Sequence, residues 1–253
     1  MRIITKGEIY VKISIDTMQK LSKIKNSAYD AIKIEYLYHS NKLEGSTFSK
    51  ENLIDLLEQR QVNGEHFLDD VIETKNSLEL FDNVINTLKQ PLDKYLLWEW
   101  HRILKKGTVD EEIDNIGKWK KYGNRLSKTD LKLCEPHLVE NCMFNLLEDW
   151  KETKKDIYAI ANFHQEFEHI HPFQDGNGRI GRFVIFKQCI ENNVDLIAID
   201  DEYNKEYRNA LYTAQTTENI SLLVEVFEKC QKRLDEKLLE YKGVIEQVEK
   251  EIN

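Results

Sequence analysis

The amino-acid sequence predicts a mostly α-helical protein, and three observations carry that prediction. Apolar residues recur at three-and-four spacing almost throughout the chain. Three prolines and ten glycines are few for 253 residues, so there is little to interrupt a helix. Hydrophobic side chains make up 41% of the chain, enough to bury one large core or two smaller ones.

Taken in order, residues 1 to 13 alternate loosely (Ile3, Ile4, Ile9, Val11, Ile13) and predict a short strand or hairpin. From Asp16 the pattern turns helical, with Ala28, Ile32, Tyr36 and Leu37 marking a helix to about Ser40. Glu44-Gly45 reads as its end, because Gly45 can take the left-handed conformation that closes a helix. Thr47 or Ser49 can then cap the next helix, about Glu51 to Gln59. After the Asn63-Gly64 turn, a stripe from Phe67 to Leu88 predicts a long amphipathic helix ending near Pro91, and Tyr95 to Leu104 predicts another. Regularity fails between Gly107 and Pro136, where Gly117 to Ser127 mixes basic, aromatic and turn residues as a loop or β-hairpin does. Leu138 to Trp150, Ile157 to Ile170, Gly178 to Asn192, Tyr203 to Thr213 and Ile220 to about Lys250 complete the helices. No internal repeat and no second domain is evident.

A net charge of −9 argues against nucleic acid or an anionic membrane as the main partner. Cys134, Cys142, Cys189 and Cys230 lie far apart without a C-x-x-C pair, so reduced thiols are expected rather than zinc or disulfides. The start of the chain does not read as a signal peptide and no apolar stretch approaches the ~20 residues of a membrane span. A cytoplasmic location is the expectation.

One stretch stands apart: His171-Pro172-Phe173-Gln174-Asp175-Gly176-Asn177-Gly178-Arg179-Ile180-Gly181-Arg182. The helix beginning near Gly178 points unpaired N–H groups and its positive dipole end into the loop, which makes an anion site. His171 is the one group there whose ordinary pKa, about 6.5, suits taking a proton at neutral pH. Asp175 offers the hard oxygen that Mg²⁺ takes beside nucleotide phosphates. Asn177 and the N–H groups of Gly176 and Gly178 can bond phosphate oxygens, while Arg179 and Arg182, three apart, share a helix face. Phe173 pointing inward would anchor the loop. A zinc cluster of His164, His169 and His171 fits less well, because residues five apart on a helix share a face poorly and no H-E-x-x-H frame is present.

This stretch resembles, position for position, the H-P-F-x-D/E-G-N-G-R-x-x-R signature of the Fic family, and the resemblance extends from about Glu35 to Arg233, including Phe163-His164 and Gly117-Lys118-Trp119-Lys120. It implies an all-α Fic fold, a helical bundle with a small β-hairpin flap, spanning 35–233, preceded by a segment 1–34 and followed by a C-terminal helix extension 234–253. It implies a protein adenylyltransferase that moves AMP from Mg·ATP to a Ser, Thr or Tyr hydroxyl of a target protein docked by the flap. His171 would be the general base and Asp175 the Mg²⁺ ligand. Gly176, Asn177 and Gly178 would form the anion hole, and Arg179 and Arg182 would hold the β- and γ-phosphates. Tyr207 and Gln215 would line the adenine pocket, where Arg208 stands in place of the family's second tyrosine.

Ser40-x-x-x-Glu44-Gly45 matches the family's inhibitory [S/T]-x-x-x-E-[G/N] motif, in which a carboxylate aimed at Arg182 removes the cation needed by the γ-phosphate. The resemblance thus implies an autoinhibited enzyme. Two alternatives stay open: removal of AMP with the help of Glu44, and a non-catalytic, antitoxin-like interaction module. A homo-oligomer is compatible with each of these readings.

Overall fold

A computed structural model describes residues 13–125 and 130–252 of the chain. Of the strand or hairpin expected over residues 1 to 13, all but Ile13 lies outside them. Twelve α-helices are formed among the described residues: α1 (Ile15–Leu21), α2 (Ala28–Leu43), α3 (Lys50–Gln59), α4 (Leu68–Asn86), α5 (Lys94–Lys105), α6 (Val109–Glu112), α7 (Val139–Glu152), α8 (Ile157–Ile170), α9 (Asn177–Glu191), α10 (Asn204–Thr217), α11 (Ser221–Leu238) and α12 (Lys242–Lys250). Short 3₁₀ turns precede α7 and α10 and separate α11 from α12.

The helix expected from Asp16 to Ser40 is two helices. Asn26 takes a left-handed φ of 56°, and Ser27 starts α2 by accepting from Tyr29 N while its hydroxyl donates to Leu21 O at 2.9 Å. Breaking the chain here lets α1 turn away and meet α12 at the far end of the bundle.

The centre of the fold is α9. Thirteen of its fifteen residues are buried, and a helix covered on all sides must lie inside the bundle. Phe183 and Phe186 pack with Tyr36 of α2 and Phe81 of α4, with ring centroids 5.0 to 6.5 Å apart. Lys187 is fully buried in this setting, and its ammonium donates to Thr87 O, Leu88 O and Gln90 O and pairs with Glu191 at 2.8 Å. Those bonds satisfy carbonyls at the end of α4, so the charge serves as a cap set inside the core. Around this axis α8, α4, α5 and α2 pack directly on α9, and α10 and α11 close the side of α8.

The β-hairpin is not formed among the described residues, which contain no strand; 126–129 fall outside them. The segment 117–125 spends its polar groups on the central loop instead. Lys120 N donates to Pro172 O at 2.8 Å, and Asn124 Nδ2 donates to Phe173 O and Gln174 O at 3.1 and 3.0 Å. No described helix is long and apolar enough to cross a membrane.

Candidate active site

The site begins where α8 ends. His171 closes that helix in a left-handed conformation, φ 51°, with its N–H on Phe167 O at 2.9 Å. Its Nδ1 lies 3.3 Å from Glu168 O. A carbonyl can only accept, so Nδ1 carries the hydrogen and Nε2 is the basic nitrogen. Burial, with the Lys120 ammonium nearby, pushes His171 down to about 4, which leaves the ring neutral at pH 7.

The loop from His171 to Gly176 is held from within. Phe173 is fully buried and stacks on His101 of α5 at 4.1 Å, nearly parallel, as its inward placement predicts. His101 accepts from Gly117 N at Nδ1 (3.0 Å) and donates from Nε2 to Asp175 O (3.0 Å). One neutral imidazole thus ties the segment 117–125 to the loop, and burial keeps it at about 4. Asn177 corrects the expectation for its side chain. Its amide is buried, accepting from Phe173 N at 2.7 Å and donating to Phe173 O at 2.9 Å, so it locks the loop and is not turned to a phosphate.

Gly176 starts α9 with φ 79°, a conformation suited to glycine. The first intrahelical bond there is Ile180 N to Gly176 O, so the N–H groups of Asn177, Gly178 and Arg179 have no partner within the helix. An anion already faces them. A Cβ on Gly178 would meet Glu44 Oε1 at 2.3 Å, so the Glu44 carboxylate rests on the start of α9 at a position only glycine leaves open.

Glu44 comes from the opposite side. It is the C-cap of α2, with Gly45 left-handed at φ 89°, Gly45 N on Lys42 O and Ser46 N on Asn41 O, the paired bonds of a Schellman closure. That end aims its carboxylate at Arg182, whose Nη2 donates to Glu44 Oε1 at 2.7 Å. Ser40 completes the grip: Arg182 Nε donates to its hydroxyl at 2.8 Å and Nη2 to its carbonyl at 2.9 Å. Burial favours the neutral acid at Glu44, but the guanidiniums of Arg182 and Arg179 outweigh it and hold the carboxyl below its usual range.

Arg179 points elsewhere. Its Nη1 donates to Glu73 of α4 and its Nη2 lies 3.5 Å from Asp175 Oδ2. Asp175 is the exposed acid of the loop. Burial of its surroundings works to raise it, but Lys105 and Arg179 bring it down to about 2. An ionised, accessible carboxylate beside an anion-binding helix start fits a Mg²⁺ ion that completes its shell with phosphate and water.

These groups border a cavity of about 540 Å³ lined by Glu44, Glu168, His171, Arg182, Tyr207 and Gln215, among others. Tyr207 and Gln215 are among the lining residues, with the Tyr207 hydroxyl bonded to His164 Nε2 at 2.7 Å and Gln215 Nε2 donating to Gln165 O. The three histidines of the zinc alternative are not brought together: His164 turns to Tyr207, His169 donates to Lys132 O and His171 faces the cavity.

Two residues that hold the site, Lys105 and Glu73, escaped the sequence reading. Lys105, with Glu73, holds Asp175 and Arg179. Glu168 lies under the cavity with Oε1 buried and unbonded, and burial pushes it up to about 8, with Arg182 opposing and Glu44 adding to the rise. Arg208 donates to Leu43 O at 2.8 Å, reaching from the cavity rim to the end of α2. The available signal was a charge on an apolar stripe: His101 and Lys105 share the buried face of α5 with Leu97 and Leu104.

Residues 91–189 match the Fic/DOC family. The matched stretch takes in α5, the central loop and most of α9. It is 31% identical over 117 residues to a probable protein adenylyltransferase of Aquifex aeolicus, covering 45% of this chain and 33% of the relative. It is 26% identical over 217 residues to the protein adenylyltransferase Fic of Aedes aegypti, covering 79% and 40%. The chain therefore spans well under half the length of these two relatives. In fold it matches the crystal structure of a Fic domain containing signaling protein from Bacteroides thetaiotaomicron, with a TM-score of 0.76, 22% identity and coverage of 91% and 92%.

Proposed function

We propose that this chain is an autoinhibited protein adenylyltransferase that transfers AMP from Mg·ATP to a hydroxyl side chain of a target protein. The observation that carries the reading is the Glu44 carboxylate seated on the start of α9 and paired with Arg182. An anion site held by the protein's own carboxylate suits a phosphate guest that must displace it. The names of the Aquifex and Aedes relatives give the same reaction class.

The chemistry follows from the positions of the groups. The N–H groups at the start of α9 and the Arg182 guanidinium hold the phosphates. They meet the charge that grows on them as the α-phosphorus is attacked and pyrophosphate departs. His171 Nε2 takes the proton of the incoming hydroxyl. Mg²⁺ arriving with the nucleotide would be held by Asp175 and would neutralise phosphate charge. With Glu44 in place, Arg182 is engaged and the γ-phosphate has no cation there, so ATP lacks the pose for in-line attack.

The test is the position of the label. In the Glu44→Gly variant, ATP labelled at the α-phosphorus should mark protein and ATP labelled at the γ-phosphorus should not, and adding His171→Ala should abolish the signal. Label from the γ-position would make the protein a kinase. A second reading, removal of AMP, is favoured by Glu44 and His171 bordering the same cavity. Release of AMP from an adenylylated protein by the wild type but not by Glu44→Gly would establish it.

A further inference from the structure

The carboxylate assigned to the metal is already holding a cation of the chain's own. Asp175 Oδ2 lies 2.5 Å from Lys105 Nζ, and the same ammonium lies 2.6 Å from Asp110 Oδ2 and is bonded to Glu73. These three carboxylates come from different parts of the chain: α4, α6 and the central loop. Each offers an oxygen within 4.8 Å of the other two, a spacing at which carboxylates share one cation. The cation is a lysine rooted in the last turn of α5, its side chain only 3% exposed. Arg179 closes the group through Glu73 and Asp175.

Charge explains why a lysine is needed. Three carboxylates against Lys105 and Arg179 leave a net −1, and without Lys105 the same group carries −2 in a largely buried place. Exposure shows which member can move. The Glu73 and Asp110 side chains are 17% and 15% exposed, whereas Asp175 is 58% exposed. Lys105 can release Asp175 and stay bonded to the other two, but it has no route to solvent.

We propose that Lys105 is a built-in counter-ion, a positioning residue that presents Asp175 to the site and keeps the Glu73, Asp110 and Asp175 cluster closed to divalent metal until a nucleotide brings further ligands. This rests on the Mg·ATP reading of the site. Mg²⁺ and Mn²⁺ need several oxygens and give up water reluctantly, so one carboxylate shared with an ammonium holds them poorly. Phosphate oxygens on the nucleotide make up the shell and shift Asp175 from ammonium to metal. Burial disfavours the charged lysine, but the Asp175 and Glu73 charges outweigh it and keep the ammonium protonated.

The experiment is a Mn²⁺ titration of the nucleotide-free protein, followed by the loss of the free-ion paramagnetic resonance signal. Wild type should bind Mn²⁺ weakly, and Lys105→Met should bind at least about tenfold more tightly, since a cluster of net −2 is open to the ion. Adding Asp175→Asn to Lys105→Met should remove the gain, which ties it to this cluster. Lys105→Gln, which removes the charge but keeps a donor for Asp110 and Glu73, serves if the methionine variant does not fold, and its affinity should rise too. Equal Mn²⁺ affinity in wild type and a folded, uncharged Lys105 variant overturns the proposal. Failure of the underlying reading looks different: wild type with a non-hydrolysable ATP analogue would then show no gain in bound Mn²⁺.

Discussion

Three contacts on one guanidinium set the state of the site. Arg182 is bonded by the Ser40 hydroxyl, the Ser40 carbonyl and the Glu44 carboxylate, and each contact restrains the cation that a γ-phosphate would use. Removing the hydroxyl contact gives a graded test. Ser40→Ala deletes a hydrogen bond worth about 1 kcal/mol and leaves Glu44 in place, so α-phosphate transfer should rise roughly fivefold over wild type. No rise, with Glu44→Gly active, would confine the restraint to the carboxylate. His171 offers a second test at this scale. Because burial holds it at about 4, its base form is complete at neutral pH and is lost only as pH falls through that value. The pH–rate profile of Glu44→Gly should therefore be flat in its His171 limb between pH 6 and 8. A half-maximal rate near 6.5 would mean a solvated imidazole.

The element that matters most is α2, because its closure places Glu44. Its end is latched from two directions, by the Schellman bonds at Gly45 and Ser46 and by Arg208 on Leu43 O. A cation at the carbonyl end of a helix is favourable, so Arg208 steadies the turn that carries Glu44. Arg208→Ala should hasten amide hydrogen exchange at residues 44–46 and raise transfer a few-fold, with little change in thermal midpoint. Unchanged exchange there would leave Arg208 as a rim residue only. Helix existence and the Gly45 closure were legible in the sequence because periodicity and a glycine after a charged turn are local signals. The break at Asn26 was not, since it depends on a left-handed residue without glycine. The choice between loop and hairpin at 117–125 was open for a related reason: polar groups of this segment find partners on the central loop, far away in sequence.

At the scale of the whole molecule, the central loop was legible because one short motif holds nearly all its chemistry, and His171 and Arg182 of that motif line the cavity. What surrounds them was not. Glu73, Lys105 and Arg208 come from separate helices, and nothing in one-dimensional order brings them together. Burial of histidines gives the entire fold a pH signature. His101, His164 and His171 are held by burial at about 4, 3 and 4, so below pH 6.5 the unfolded chain takes up protons that the folded one refuses. Each contributes up to about 1.4 kcal/mol per pH unit in that window. Glu168, at about 8, acts in the opposite sense, protonated in the folded state and ionised in the unfolded one down to about 4.5, and burial raises Glu191 in the same direction. Three sites outweigh two, so the urea midpoint should be lower at pH 5 than at pH 7, and the drop should shrink in His164→Gln. A midpoint that holds or rises would mean these imidazoles are charged. The central claim, that Glu44 restrains a competent adenylyl-transfer site, is tested most directly by the rate of self-labelling from α-labelled ATP in wild type and Glu44→Gly. Loss of a charge-assisted bond worth roughly 1.5–3 kcal/mol predicts an increase of about 10- to 100-fold. Equal rates in the two proteins would contradict it.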